Sequence, residues 1–145
     1  MGEKSIRPQR RLSKKEYESL SAFRYALRRY LRFSEEAAAA VGLTPQQHQA
    51  LLAVKGFPGR EHVTNGELAE RLQIKHHSVV GLVNRLEAQG LIVREQGESD
   101  RREFYITLTE RGVELLERLT AAHQEELRRI APQLSNVLGD IGDGD

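Results

Sequence analysis

The chain has 145 residues, no cysteine, 30% charged residues and a formal net charge of +1. Without cysteine it can form no disulfide, thiolate nucleophile, Cys-based zinc site or thiol redox switch. No apolar run approaches the roughly 18 residues that span a bilayer, and no signal-peptide core is present, so one cytoplasmic domain without a cofactor is expected.

The near-neutral total hides an asymmetry. Residues 1–34 hold ten Lys/Arg against three Asp/Glu, which leaves the remainder of the chain acidic. Residues 1–12 lack periodicity and read as a flexible basic segment. Ser13 and Glu16 then form a capping-box pattern, in which each side chain satisfies a backbone N–H near the other. Leu20, Phe23, Leu27, Tyr30 and Leu31 recur at spacings of three and four, predicting a long helix over 13–40. Gly42 ends it.

The next helix starts with Thr44 as N-cap, Pro45 in the first turn and Gln47 closing a second capping box, and Gly56 stops it. Thr64 and Glu67 repeat that chemistry ahead of a short helix carrying Leu68, Ala69 and Leu72. After a turn at Gln73 to Lys75 comes "HHSVVGLVNRLEAQG", a helix closed by Gly90. "LIVRE" and "REFYITL" read as two strands. In the second, Phe104, Ile106 and Leu108 alternate with Tyr105 and Thr107, predicting one buried and one wet face. The charged joint "QGESDR" is longer than a tight hairpin needs, which predicts a projecting loop. Thr109 caps a last long helix that Pro132 is expected to break or kink, with a short continuation to Leu138. An acidic, flexible tail over 139–145 completes the expected organisation.

Two short capped helices followed by a β-hairpin make a winged helix-turn-helix, here over about 44–108. The fold class is therefore mainly α (α+β), a winged helix-turn-helix with long terminal helices at 13–40 and 109–138. Placing the second helix of the motif at 100° per residue gathers Val79, Leu82, Val83 and Leu86 on one side. His77, Gly81, Asn84 and Arg85 fall opposite, with Ser78 and Val80 at the margins and His76 at the start. That face suits a major groove: His, Ser and Asn donate and accept at base edges, Val80 would meet a thymine methyl, and Gly81 admits close approach.

"SDRREFYITLTERG" resembles the wing signature of the MarR (multiple antibiotic resistance regulator) family, D-x-R followed by an alternating strand and L-T-x-x-G. Asp100, Arg102, Leu108, Thr109 and Gly112 match it position by position. "LTPQQHQALLAV", "TNGELAERLQI" and "SVVGLVNRLEAQGLIVRE" resemble family segments in the same order, so the similarity covers about residues 20–130. The resemblance implies a homodimeric, cytoplasmic regulator of double-stranded DNA, with the second helix in the major groove and the wing arginine in the neighbouring minor groove. Carried over, Arg102 is the minor-groove probe, Arg101 a phosphate or minor-groove partner, and Asp100 the residue that orients the wing. The chain departs from the family at Lys75, where Ser or Thr often caps the helix, and at His76 and His77, where Arg and Pro are frequent.

The family also interleaves its terminal helices across a two-fold axis. Leu20, Phe23, Leu27, Leu116, Leu119 and Leu127 are then dimer or intradomain core positions, which sequence does not separate. A dimer would set two reading helices on half-sites roughly 34 Å apart, hence a pseudo-palindromic operator. Members commonly bind a small, often phenolic or anionic effector between the dimerisation helices and the DNA-binding lobe. Arg24, Tyr25, Arg28, Tyr30, Arg32, Phe33 and His48 are the candidates here, and arginines beside aromatics suit an aromatic acid or acyl-CoA. A repressor released by such an effector is the expected function. The alternatives are a zinc-responsive regulator of the same fold and a winged helix used for protein contacts. His48, His62 and His123 lack tight ligand spacing such as H-x-x-x-H, so no metal site is expected. Nor does any nucleophile elbow, phosphate loop or positioned acid–base pair suggest an enzyme.

Overall fold

A computed structural model of the protein describes residues 11–97 and 102–143. The elements are α1 (Lys14–Ala40), α2 (Pro45–Lys55), α3 (Asn65–Leu72), α4 (His76–Ala88), β1 (Ile92–Gln96), β2 (Phe104–Leu108) and α5 (Glu110–Gly142). The order is that of a winged helix-turn-helix flanked by two long helices.

Local chemistry sets most of these boundaries. Thr44 Oγ accepts from the Gln47 amide at 3.1 Å while Gln47 Oε1 accepts from the Thr44 amide at 3.0 Å. Thr64 and Glu67 make the same exchange at 3.2 and 2.9 Å. Each closed box is worth about 1 kcal/mol of helix start. Ser13 Oγ accepts from the Glu16 amide at 3.3 Å.

Helix ends use one device three times. Gly42 and Gly90 adopt positive φ, and the residue after each donates back into the last turn, Leu43 to Ala38 O at 2.9 Å and Leu91 to Leu86 O at 3.0 Å. The third instance has no glycine. Gln73 takes φ 55°, its amide and that of Ile74 close the same loops onto Glu70 and Ala69, and its side-chain amide also donates to Glu70 O at 2.8 Å. That extra bond offsets part of the roughly 1–2 kcal/mol a left-handed non-glycine residue costs.

The chain forms two compact units. Among the described residues, one comprises 11–32 and 125–143; the other comprises 33–97 and 102–124. The second holds the helix-turn-helix, the hairpin and the core. Leu51, Val54, Val63, Leu68, Val79, Leu82, Val83, Leu86, Ile92 and Ile106 are buried together, with Leu116 and Leu119 joining from α5. Each large aliphatic contributes about 1.5–3 kcal/mol by leaving water. β1 and β2 pair antiparallel, from Ile92 opposite Leu108 to Gln96 opposite Phe104, and Val63 adds a single bridge to Ile106. Strand alternation puts Ile92, Arg94, Gln96, Phe104, Ile106 and Leu108 on one face of the ribbon.

In the other unit Ala26 and Val137 are buried, while Leu20, Leu27 and Leu127 are exposed, Leu20 to 57%. The leucines that sequence left undivided therefore separate: Leu116 and Leu119 belong to the core, Phe23 is half-buried, and the other three face outward.

Two local expectations are corrected. Phe104 shares the inward-pointing face yet is 54% exposed, because the ribbon extends past the core that covers Ile106. α5 neither stops at Pro132 nor ends at Leu138 but continues to Gly142. The ring costs about 3 kcal/mol and removes one rung, yet α5 runs through it, and Val137 beyond it is buried.

Candidate nucleic-acid interface

The face of α4 that points away from the core is the candidate site. Val79, Leu82, Val83 and Leu86 are buried. His76, His77, Ser78, Asn84 and Arg85 are exposed, and Val80 and Gly81 are half-buried between the two sides. All seven expected reading residues thus lie on one accessible helical surface. Lys75 occupies the N-cap in extended geometry and makes no side-chain cap bond, so the first turn lacks the stabilisation that α2 and α3 have.

Gly81 is open. A β-carbon there would stand 3.7 Å from Arg85 Nη1, ordinary contact with the movable end of a side chain. The chain's own packing does not require glycine at this position. On the hairpin, Arg102 is exposed. Asp100 and Arg101 lie outside the described residues.

Sequence reasoning missed Arg94. From β1 its Nη2 meets Asn84 Oδ1 and lies 3.4 Å from Glu87 Oε1, bridging two residues one turn apart on α4. A charged residue on the inward face of the ribbon must find a polar partner, but that face is defined only by the pairing of β1 with β2 and its packing on α4.

The L-T-x-x-G segment has a structural explanation. Thr109 Oγ donates to Gly90 O at 2.6 Å and accepts from the Gly112 amide at 3.1 Å, while the Thr109 amide donates to Leu91 O at 3.0 Å. A β-carbon on Gly112 would lie 2.2 Å from that same Leu91 oxygen. The end of α4, the entry to β1 and the first turn of α5 meet there with no room for a methyl group.

The expected effector residues are divided. Arg24, Tyr25, Arg28, Tyr30 and Arg32 belong to the first unit, where Arg29 stacks on Tyr25 with its guanidinium carbon 5.6 Å from the ring centre. Burial pushes the Tyr30 phenol up. Phe33 and His48 belong to the second unit, and both contact His123, with ring centres 5.3 and 4.8 Å away. His123 Nδ1 is 2.6 Å from Leu119 O and must donate to it, and Nε2 lies within hydrogen-bond distance of Ser34 Oγ at 2.9 Å. Among the described residues, no group of three or more His, Cys, Asp or Glu could hold a metal ion.

Burial, with a smaller contribution from His123, lowers the pKa of His48. The folded chain therefore resists a proton that the unfolded chain accepts at about pH 6.5. Stability is full above that pH and falls on acidification toward the folded-state value, by at most about 1.4 kcal/mol per pH unit for this ring. Urea unfolding of the wild type at pH 7.5 and 5.5 should show the loss, and H48Q should reduce it. An H48Q slope equal to the wild type's would assign the acid sensitivity elsewhere.

Helices α3 and α4 beside the β1–β2 hairpin define a winged helix-turn-helix protein. Residues 41–103 match the model of the MarR family. The chain is 31% identical over 93 residues to the homoprotocatechuate degradative operon repressor of Escherichia coli, covering 64% of this chain and 61% of that one. It is 30% identical over 109 residues to the transcriptional activatory protein BadR of Rhodopseudomonas palustris, covering 75% and 59%. A MepR mutant of Staphylococcus aureus, solved bound to an oligodeoxyribonucleotide, matches with a TM-score of 0.64 at 25% identity, over 86% of this chain and 88% of that one. The chain spans about three fifths of the length of these two curated relatives. Over residues 41–103 it is similar to the MarR family. No helix of the described residues is long and apolar enough to cross a membrane.

Proposed function

We propose that the protein is a sequence-specific, double-stranded DNA-binding transcriptional regulator that acts as a homodimer. The observation that carries this reading is the division of α4, with four aliphatics buried and His76, His77, Ser78, Asn84 and Arg85 presented beside a hairpin bearing Arg102. Side chains on such a helix read base edges, and an arginine on the wing suits the negative potential of a narrow minor groove. Arg101 and Asp100 complete the wing in this reading. The relative solved with an oligodeoxyribonucleotide supports it.

A second copy is the proposed cover for Leu20, Leu27, Leu31, Leu127, Leu138 and Ile141, which are exposed in the single chain. Two copies would present two reading helices to a pseudo-palindromic operator. The proposed action is repression relieved by a small effector, an aromatic acid or acyl-CoA, held by the candidates among Arg24, Tyr25, Arg28, Tyr30, Arg32, Phe33 and His48. The relative named as repressor of a homoprotocatechuate degradative operon supports the repressor sign, whereas BadR is named as an activatory protein. The effector can lower DNA affinity only by as much as it discriminates between the two states.

The test is selection of duplexes from a random library by the purified protein, then titration of the enriched sequence against salt. Counterion release predicts steep weakening as salt rises, with specificity surviving competition by random DNA. Binding that is flat in salt, or no enrichment at all, would reject the reading. Gly81 separates reading from folding. G81A should gain roughly 0.5–1 kcal/mol of stability, because alanine replaces glycine inside a helix, while operator affinity falls because the methyl group stands between α4 and the base edges. Thermal unfolding and operator titration of one preparation measure both signs.

A further inference from the structure

Asn84 is an ambiguous reader on its own. A free carboxamide presents one donor and one acceptor, and so pairs naturally with adenine N7 and N6. In this protein a neighbour already engages one end of the amide. A guanidinium has five N–H donors and no acceptor, so the Asn84 atom that meets Arg94 Nη2 has to be Oδ1, as observed. That bond occupies one of the two lone pairs of Oδ1 and biases the amide toward presenting Nδ2, which only donates, to a base. Glu87, three residues further along α4, lies 3.4 Å from the same Nη2 and draws the guanidinium to that side of the helix. The ribbon register points Arg94 the same way, on the face it shares with Ile92 and Ile106.

We infer that Arg94 is a positioning residue that fixes the amide of Asn84 with its NH2 outward, so that Asn84 reads a base-edge acceptor, guanine O6/N7 or thymine O4, in place of the bidentate adenine pattern. This rests on the DNA-binding reading above and specifies one element of its code. The alternation between donor and acceptor is set from the wing strand, outside the reading helix.

The experiment compares base preferences selected from a random duplex library by the wild type, N84A, R94M and R94K. N84A should flatten preference at one position of each half-site, which identifies the base that Asn84 contacts. At that position the wild type should favour guanine or thymine. R94M should admit adenine there, raising its frequency by about fivefold, with the other positions unchanged. R94K, which keeps a donor-only group, should stay closer to the wild type than R94M does. The Asn84 side-chain NH2 signals of the DNA-free protein should also shift in R94M, a readout that does not depend on DNA. If the wild type enriches a motif but already prefers adenine at the Asn84 position, the inference fails. It also fails if R94M matches the wild type there while affinity drops uniformly, the behaviour of a phosphate contact or a purely structural residue. If no duplex is enriched by any form, the DNA-binding reading falls and takes the inference with it, an outcome distinct from the other two.

Discussion

Replacing Gly112 with alanine is expected to destabilise the protein by about 2–3 kcal/mol, measured as a lower midpoint of chemical denaturation with an unchanged slope. The added carbon would lie 2.2 Å from the Leu91 carbonyl oxygen and 3.1 Å from its carbon. Both are backbone atoms, so no side chain can swing aside. Leu91 O is further constrained because it accepts from the Thr109 amide at 3.0 Å. A control exists on the same helix. Gly139 has nothing within 4 Å of its notional β-carbon, and G139A should stabilise by several tenths of a kcal/mol through helix propensity alone. G112A within about 0.5 kcal/mol of the wild type would mean that the joint opens more readily than its geometry implies.

The second large effect is on binding. R102E should lower affinity for the selected operator by at least about 30-fold, because each arginine lost from a groove costs about 1–3 kcal/mol. A dimer loses two, and the reversed charge adds repulsion. The salt slope should become shallower, since fewer phosphate counterions are displaced. Arg102 is exposed, so thermal unfolding should barely change. Unaltered affinity and slope would take the wing out of the recognition scheme.

Legibility tracked the range of the interaction. The starts of α2 and α3 were readable because Thr44 with Gln47 and Thr64 with Glu67 settle them within four residues. The buried side of α4 was readable because a 3.6-residue period needs only the helix itself. Gln73 was not: its left-handed backbone lacks the usual glycine signal, and the compensating bond to Glu70 O is visible only once the helix exists. Phe104 follows the strand alternation, but alternation says which face a residue is on and not whether anything covers that face. Pro132 carries a correct local penalty, yet the helix runs on past it to a buried Val137. Arg94 needed the register of β1 against β2 and the side of the ribbon that meets α4, both of them tertiary facts. The division of the long-helix leucines likewise required knowing which of them the core had already taken.

The crowding at Leu91 also has a mechanical meaning. Gly90, Leu91, Thr109 and Gly112 are tied by three short hydrogen bonds and one contact that a methyl group could not enter. Such a knuckle has no slack to absorb a tilt. Whatever turns the opening stretch of α5 must swing the far end of α4 and the root of the ribbon with it, as a crank turns its shaft.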